Sequence, residues 1–193
     1  MTVSQLLALA WQSVVAPRDA ARIIIATRFS HQAILLAFAL VVVLNAIVSL
    51  AVVMIAPPDE AQMAFLASPV IFMLVIGGLL AISAIAVTWM GRAMGGAGRI
   101  EDIGLLIIWV QGLWIGVQAV DALLMPLGAG LGGGFLLGAY LVQGWMMINF
   151  LDVAHGFDNR FKSAFVMVLG TIGMALGLSI FLALIGATTV GMD

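Results

Sequence analysis

The sequence contains no cysteine and only 8% charged residues, and both shortages restrict what the protein can be. Without cysteine, it can form no disulfide bond, thiolate metal site, iron–sulfur cluster or cysteine nucleophile. A soluble domain carries about a quarter charged residues to cover its surface. Because 64% of the 193 residues are apolar and the mean hydropathy is +1.25, we interpret the chain as a polytopic membrane protein.

Catalytic and nucleic-acid-binding patterns are also missing. The sequence has no GxSxG elbow, no HExxH helix and no P-loop lysine motif. Its seven basic residues are scattered and the net charge is −2, so it lacks the continuous basic face that nucleic acid requires. Two histidines, His31 and His155, are too few to complete a metal site. We therefore expect no enzyme activity, cofactor, metal or nucleic-acid partner.

Five apolar runs have the length needed to cross a bilayer, which takes about 20 residues of helix. The sequence predicts an all-α fold in which residues 1–193 form a single membrane domain with five transmembrane helices. A rival count would treat Pro126 and its neighbouring glycines as a break inside one span, which would need about 45 continuous residues, twice what a bilayer accommodates. The five predicted spans are 32–56, 69–90, 103–125, 134–151 and 164–187.

The segment before the first span, residues 1–31, predicts an interfacial amphipathic helix on the cytoplasmic side. Its apolar residues recur at helical spacing, but the run is too short and too two-sided to span, so we expect it at headgroup level with Trp11 as anchor. Pro17 starts a second helix, since proline suits the first helical position. No Lys or Arg precedes Arg18, unlike in a secretory signal, so we expect this segment to stay on the mature protein.

The basic residues predict the orientation. Lysine and arginine occur only on alternate connections, as expected of short loops kept in the cytoplasm. The first outer connection carries Asp59 and Glu60 but no base, and the tail ends in Asp193. We therefore expect a cytoplasmic N-terminus and an outer C-terminus. The basic residues are Arg18, Arg22 and Arg28 before the first span, Arg92 and Arg99 after the second, and Arg160 and Lys162 after the fourth.

The polar residues inside the spans are neutral near the middle of the membrane. Gln111, Trp114, Gln118 and Asp121 stand at i, i+3, i+7 and i+10, which aligns them on one face of the third span. Such a polar stripe is compatible with interhelical hydrogen bonds or with a polar cavity. We expect water or headgroups to reach Asp121, because it lies near the outer end of its span.

Two further patterns occur at helix surfaces. Asn149, Asp152 and His155 stand about one turn apart at the inner end of the fourth span, and we interpret them as a capped helix end with a snorkelling imidazole. Glycines four apart form smooth strips that predict close helix packing, more often within the chain than with a partner. These strips are Gly112 and Gly116; Gly130, Gly134 and Gly138; and Gly173 and Gly177.

The glycine-rich segment 91–102, GRAMGGAGRIED, carries the most specific signal. It belongs to an ordered series of short motifs: Pro17-Arg18, Gly95-Gly96 with Gly98, Glu101-Asp102, residues 109–111, Asn149-Phe150 and His155-Gly156-Phe157. In their order and spacing these motifs resemble bacterial proteins of the YIP1 family, especially its short alphaproteobacterial branch.

The resemblance implies a five-span integral protein with a cytoplasmic N-terminus and a short outer C-terminus. Eukaryotic members of the family are membrane-trafficking factors that associate with small Rab-type GTPases and with one another, largely through a long cytoplasmic N-terminal region. This chain has only residues 1–31 before its first predicted span, so we do not expect the Rab-type binding of the eukaryotic members from this resemblance. The resemblance implies no catalytic residues.

From these patterns we expect a non-enzymatic protein of the bacterial inner membrane that contacts lipid and organises membrane or binds other membrane proteins, including itself. Two alternatives stay open, a small permease or channel using Asn45, Gln111 and Gln118, and an accessory subunit of a larger inner-membrane complex. The candidate cytoplasmic interaction surface consists of Arg18, Arg22, Arg92, Arg99, Glu101, Asp102 and His155.

Overall fold

A computed structural model describes residues 2–55 and 68–190 of the chain. In these two ranges the chain forms seven α-helices and no β-strand, as the sequence predicts. A single turn of 3₁₀ helix, Met125–Leu127, separates the fifth helix from the sixth. The helices are α1 (Val3–Val15), α2 (Pro17–Ala26), α3 (His31–Ile55), α4 (Pro69–Ala93), α5 (Ile100–Leu124), α6 (Ala129–His155) and α7 (Arg160–Val190).

Four of the described helices, α3 to α6, are long and apolar enough to cross a membrane. Their apolar stretches, His31–Val53, Pro69–Ala93, Ile100–Leu127 and Gly130–His155, correspond to the first four predicted spans. The fifth predicted span, 164–187, falls within α7, where the side chains at 180–190 lie outside the description. The count of five spans therefore stays a prediction. Asp59, Glu60 and Asp193 lie outside the described residues.

Local sequence signals set several of the helix ends. Thr2 and Gln5 form a reciprocal capping box at the start of α1, which satisfies two backbone N–H groups that have no helical partner. Pro17 occupies the first turn of α2, as predicted. Gly156 ends α6 in the left-handed region, with φ of 65°, where glycine carries no steric penalty.

Helix α5 lies at the centre of the bundle, in contact with α2, α3, α4 and α6. The most closely packed part is the end that carries segment 91–102 and the 156–159 connection, which we call the loop end. Two clusters of buried apolar side chains meet α5 and α6 there. The first contains Leu9, Ala20, Ala21, Ile24, Leu106, Val110 and Phe150, and the second contains Val87, Ile103, Ile107, Leu151 and Val166.

The two N-terminal helices pack directly on the bundle. Ala20 and Ala21 are fully buried where α2 meets the transmembrane helices, because their small side chains allow a close approach. The indole N–H of Trp109 on α5 donates to the Ser13 hydroxyl on α1 at 2.9 Å. On the opposite side of α1, Trp11 is 68% exposed. A position of α1 at the headgroup level stays a prediction.

We expect Ser13→Ala to lower the stability of the protein by about 1 to 3 kcal/mol, because it leaves the Trp109 indole N–H without its partner. The loss appears as a lower melting temperature of the purified protein in detergent. Ser4→Ala, on the exposed start of the same helix, is the control and leaves the melting temperature unchanged. Equal melting of both variants and wild type contradicts the proposed link between α1 and α5.

Candidate functional site

The His155 side chain fills a cradle formed by three glycines of segment 91–102. It is the last residue of α6 and is only 2% exposed. A Cβ atom added at Gly91, Gly96 or Gly98 would lie under 3.0 Å from atoms of the imidazole ring. The Phe157 ring stacks on the other side, with 5.1 Å between ring centroids and 18° between planes. The absence of side chains at these glycines therefore creates the space for the imidazole.

Hydrogen bonds fix this arrangement. The Gly98 N–H donates to His155 Nδ1 at 3.2 Å, and the Ala97 N–H donates to the His155 backbone carbonyl at 3.0 Å. Because Nδ1 accepts a hydrogen bond, it carries no proton in this arrangement. The loop backbone thus pairs with the backbone carbonyl and Nδ1 of His155, while His155 Nε2 is buried without a hydrogen-bond partner among the described residues.

Two cationic side chains, one from α4 and one from α7, contact backbone carbonyls of segment 91–102. Arg92 Nε donates to the Gly98 carbonyl at 3.0 Å, which closes the loop on itself. Lys162 Nζ lies 3.5 Å from the Met94 carbonyl and 5.6 Å from the centroid of the Phe157 ring. Gly95 supports the turn with φ of 84°, a value that other residues rarely adopt. The connection between α4 and α5 is irregular, but several of its backbone groups form hydrogen bonds.

A buried carboxylate lies one turn before His155. The Asp152 side chain is 1% exposed and forms an ion pair with Arg18 of α2, whose side chain is 31% exposed. Asp152 Oδ1 also accepts the Asn159 N–H at 2.8 Å and faces the Ser163 hydroxyl at 3.4 Å. One carboxylate therefore joins α2, the 156–159 connection and α7. Charge-assisted bonds of this kind are stronger than neutral ones.

The predicted interaction surface divides into exposed and buried members. Arg22, Arg92 and Arg99 are exposed, and Glu101 and Asp102 are half-buried. Arg99 Nε lies 3.7 Å from a Glu101 carboxylate oxygen, and Arg22 lies 3.0 Å from the carboxylate of Asp19. Arg18 is turned toward Asp152, and His155 is buried.

His155 does not snorkel toward water, because the glycine cradle encloses its ring. This corrects the expectation for the inner end of the fourth span. Asn149 is fully buried as well, and its amide donates to the Trp145 carbonyl at 2.8 Å within α6. Of the residues aligned at this end, Asp152 and His155 are the two that bind other elements.

The polar stripe on α5 does not form one site, because its members face different neighbours. Gln111 lines a cavity shared with α4, α6 and α7, whereas the Trp114 ring lies 4.6 Å from the Tyr140 ring of α6. Gln118 donates to the Asn45 side-chain oxygen on α3 at 3.4 Å.

Asp121 is 6% exposed, so the expectation that water or headgroups reach it is wrong in this structure. Helix α6 covers it at Gly132, where an added Cβ would lie 3.2 Å from Asp121 Oδ1. That oxygen has no hydrogen-bond partner among the residues that the structure describes.

The glycine strips do not pack against the chain's own helices in the described part. An added Cβ at any of their described members meets no neighbouring atom within 4 Å. Four-residue spacing specifies a smooth helix face, but it does not specify what lies against that face. These members are Gly112, Gly116, Gly130, Gly134, Gly138 and Gly173; the surroundings of Gly177 lie outside the description.

Sequence reasoning missed two side chains that organise the loop end. Asn159 caps α7 by accepting the N–H groups of Phe161 and Lys162 at 3.0 and 3.2 Å. Asparagine directly before a helical run is a recognised N-cap signal and was available in the sequence. Ser163 is fully buried against Asp152, and its position in the sequence gave no comparable signal.

The stretch of chain that contains the cradle matches a known family. The family model of the Yip1 domain matches residues 11–185, a range that includes the end of α1, all of α2, segment 91–102 and His155. The chain belongs to the Yip1 family. The match confirms the resemblance noted from the motifs, while the alphaproteobacterial branch stays a prediction. Neither the curated proteins nor the solved structures contain a match. The apolar helices and the Yip1 domain together identify a multi-pass membrane protein.

We expect Gly91→Ala to displace His155 and to lower the stability by about 1 to 3 kcal/mol, the usual cost of overpacking. Gly112→Ala, also inside a helix but with open space around it, should stabilise by about 0.5 to 1 kcal/mol. Melting temperatures in detergent measure both effects. Combining Gly91→Ala with His155→Ala should recover part of the stability that Gly91→Ala loses, because alanine at 155 vacates the space. If the loss in the double variant equals or exceeds the sum of the two single losses, the cradle is contradicted.

We expect Asp152→Asn to lower the stability by about 1.5 to 3 kcal/mol, because the partly exposed Arg18 loses its buried charged partner and keeps only the exposed Asp158 at 3.8 Å. Asp19→Asn is the matched control, since it removes the same charge from an exposed pair with Arg22 that contributes about 0.2 to 0.5 kcal/mol. Equal melting temperatures for the two variants would show that the Arg18–Asp152 pair does not hold α2 to the bundle.

Proposed function

We propose that this Yip1-family protein is a non-enzymatic protein of the bacterial inner membrane that binds other membrane proteins through its loop end. The observation that carries the proposal is a charged surface on a segment held in one conformation. Arg92, Arg99, Glu101 and Asp102 stand on or beside a loop that His155 fixes from below. We define these four residues, together with Arg22, as the docking surface.

A surface held in one conformation favours binding because less conformational entropy is lost when a partner docks. The contacts of His155 with the loop backbone and of Arg92 with the Gly98 carbonyl supply that restraint. The docking surface carries both signs of charge within one helix start, with Arg99 beside Glu101. Charges of both signs select a partner by complementarity and repel mismatched surfaces.

The same surface supports the proposed orientation. Arg22, Arg92 and Arg99 lie at the loop end of the bundle together with Arg160 and Lys162, and short basic connections stay in the cytoplasm. We therefore place the docking surface and the N-terminus in the cytoplasm. Partners then approach from the cytoplasmic side or from within the same membrane. We propose another membrane protein as the partner, and a second copy of this chain is one outcome that the test can return.

The test is co-purification from the native membrane. The tagged protein is extracted in a mild detergent, its native mass is measured, and accompanying proteins are identified by mass spectrometry. We expect a stoichiometric partner with wild type and about a tenfold weaker association when Arg99, Glu101 and Asp102 are all changed to alanine, given the modest contribution of each exposed charge. The control combines His31→Ala and Gln32→Ala, two exposed polar residues at the start of α3.

The variant must insert and melt like wild type for its binding to count, since Glu101 and Asp102 also favour the positive start of α5. Unchanged association in the triple variant rules out the part of the docking surface formed by Arg99, Glu101 and Asp102. A discrete large assembly containing many different subunits would favour the accessory-subunit alternative. Solute flux in proteoliposomes without any partner would favour the permease alternative.

A further inference from the structure

Neutral polar side chains from four helices lie at one depth in the membrane. Ser83 on α4, Gln111 on α5, Gln143 on α6 and Thr171 on α7 each stand ten to twelve residues from the loop end of their helix. At about 1.5 Å per residue they lie roughly 15 to 18 Å from that end, near the middle of a hydrocarbon core about 30 Å thick. All four line the same cavity of about 350 Å³.

The two glutamines have no hydrogen-bond partner in the part of the chain that the structure describes. The hydroxyls differ, since Ser83 and Thr171 donate to carbonyls of their own helices at 2.6 and 2.8 Å. An unpaired amide at this depth is strongly unfavourable, because lipid tails offer it no hydrogen bond. Because none of the described residues pairs with the amides of Gln111 and Gln143, the arrangement favours a polar group from outside the chain.

The cavity also has a side that opens toward lipid. Tyr140 lines it and is 58% exposed on the outer surface of α6. Around the polar layer the wall is apolar, including Ile107, Met147 and Met167. A molecule that enters from the membrane can thus place a polar end between the glutamines while its apolar part stays in contact with the wall. Volumes from about 300 Å³ upward are typical of small-molecule sites.

We propose that this cavity binds the polar end of an uncharged amphiphile dissolved in the membrane, one whose oxygens are carbonyls or hydroxyls. The two primary amides offer N–H donors and carbonyl acceptors, and the Tyr140 hydroxyl offers one of each. None of the described residues that line the cavity is charged, so an ionic headgroup would be buried there without a counter-charge from them. A quinone ring and a neutral glyceride share the required chemistry. The site is independent of the docking role proposed above.

The experiment measures melting temperatures of the full-length protein in mild detergent with added probes. A ligand that binds only the folded state raises the melting temperature with increasing concentration until the site is full. The probes are decylubiquinone, dioctanoylglycerol and, as a charged amphiphile, decyl phosphate. The test variant carries Gln111→Leu and Gln143→Leu. The matched control is Gln118→Leu, on the same helix but bonded to Asn45 and outside this cavity.

We expect at least one neutral probe to raise the melting temperature of wild type and of the Gln118→Leu control, with an affinity at least tenfold weaker in the double variant. A response to decylubiquinone alone identifies a quinone-type ligand, and a response to dioctanoylglycerol alone identifies a neutral glyceride. Without any probe the double variant should melt above wild type, because leucine replaces two unpaired amides.

Three results would overturn the proposal. The first is no saturable shift with either neutral probe, as expected if water alone fills the cavity. The second is an equal shift in the double variant or with decyl phosphate. The third is a double variant that fails to fold or melts below wild type without probe, which would show that the amides are structural.

Discussion

The contact between His155 and the backbone of segment 91–102 is the constraint on which the loop end depends. An irregular segment at a membrane surface leaves backbone N–H and carbonyl groups without regular partners, and the last carbonyls of a helix are in the same position. Here the two sets of groups pair with each other. The Ala97 N–H donates to the His155 backbone carbonyl, and the Gly98 N–H donates to Nδ1 of its ring. Any side chain at the facing glycines would occupy the volume of the imidazole. The position of α4 relative to α6 therefore depends on the His155 imidazole, which the backbone of segment 91–102 holds in place.

The Arg18–Asp152 pair extends this constraint to the other helices. Asp152 lies one turn before His155, so the helix end that holds the loop also holds α2 and the start of α7. The buried apolar clusters lie beside these polar contacts, and they include Ile103 and Leu151 directly next to the cradle. The loop end is thus rigid through both packing and hydrogen bonding. A rigid end suits recognition of partners. The cavities on the two sides of α5 lie farther along the bundle, away from the loop end.

The first four predicted spans correspond to described helices because lipid imposes a simple rule on sequence. Every backbone polar group in hydrocarbon must be paired within its own helix, so span length and apolar composition are fixed together. The partner of each polar residue follows no such rule. Arg18 and Asp152 are far apart in the chain, and only the packing of α2 on α6 brings them together. The sequence shows the glycines of segment 91–102 as a motif. Their role as a cradle depends on His155, which belongs to α6.

The fate of the α5 stripe shows why spacing alone did not define a site. A central helix has a neighbour on nearly every side, so residues aligned within one broad face still meet different helices. Gln118 finds Asn45 on α3, and Trp114 finds Tyr140 on α6. Gln111 finds no side-chain partner among the described residues, and it shares its cavity with a second unpaired amide from α6. Leucine at both positions would remove no hydrogen bond with a described residue. Residues that break a local rule without visible compensation point to a function. The unpaired amides therefore direct attention to what enters the cavity from the membrane.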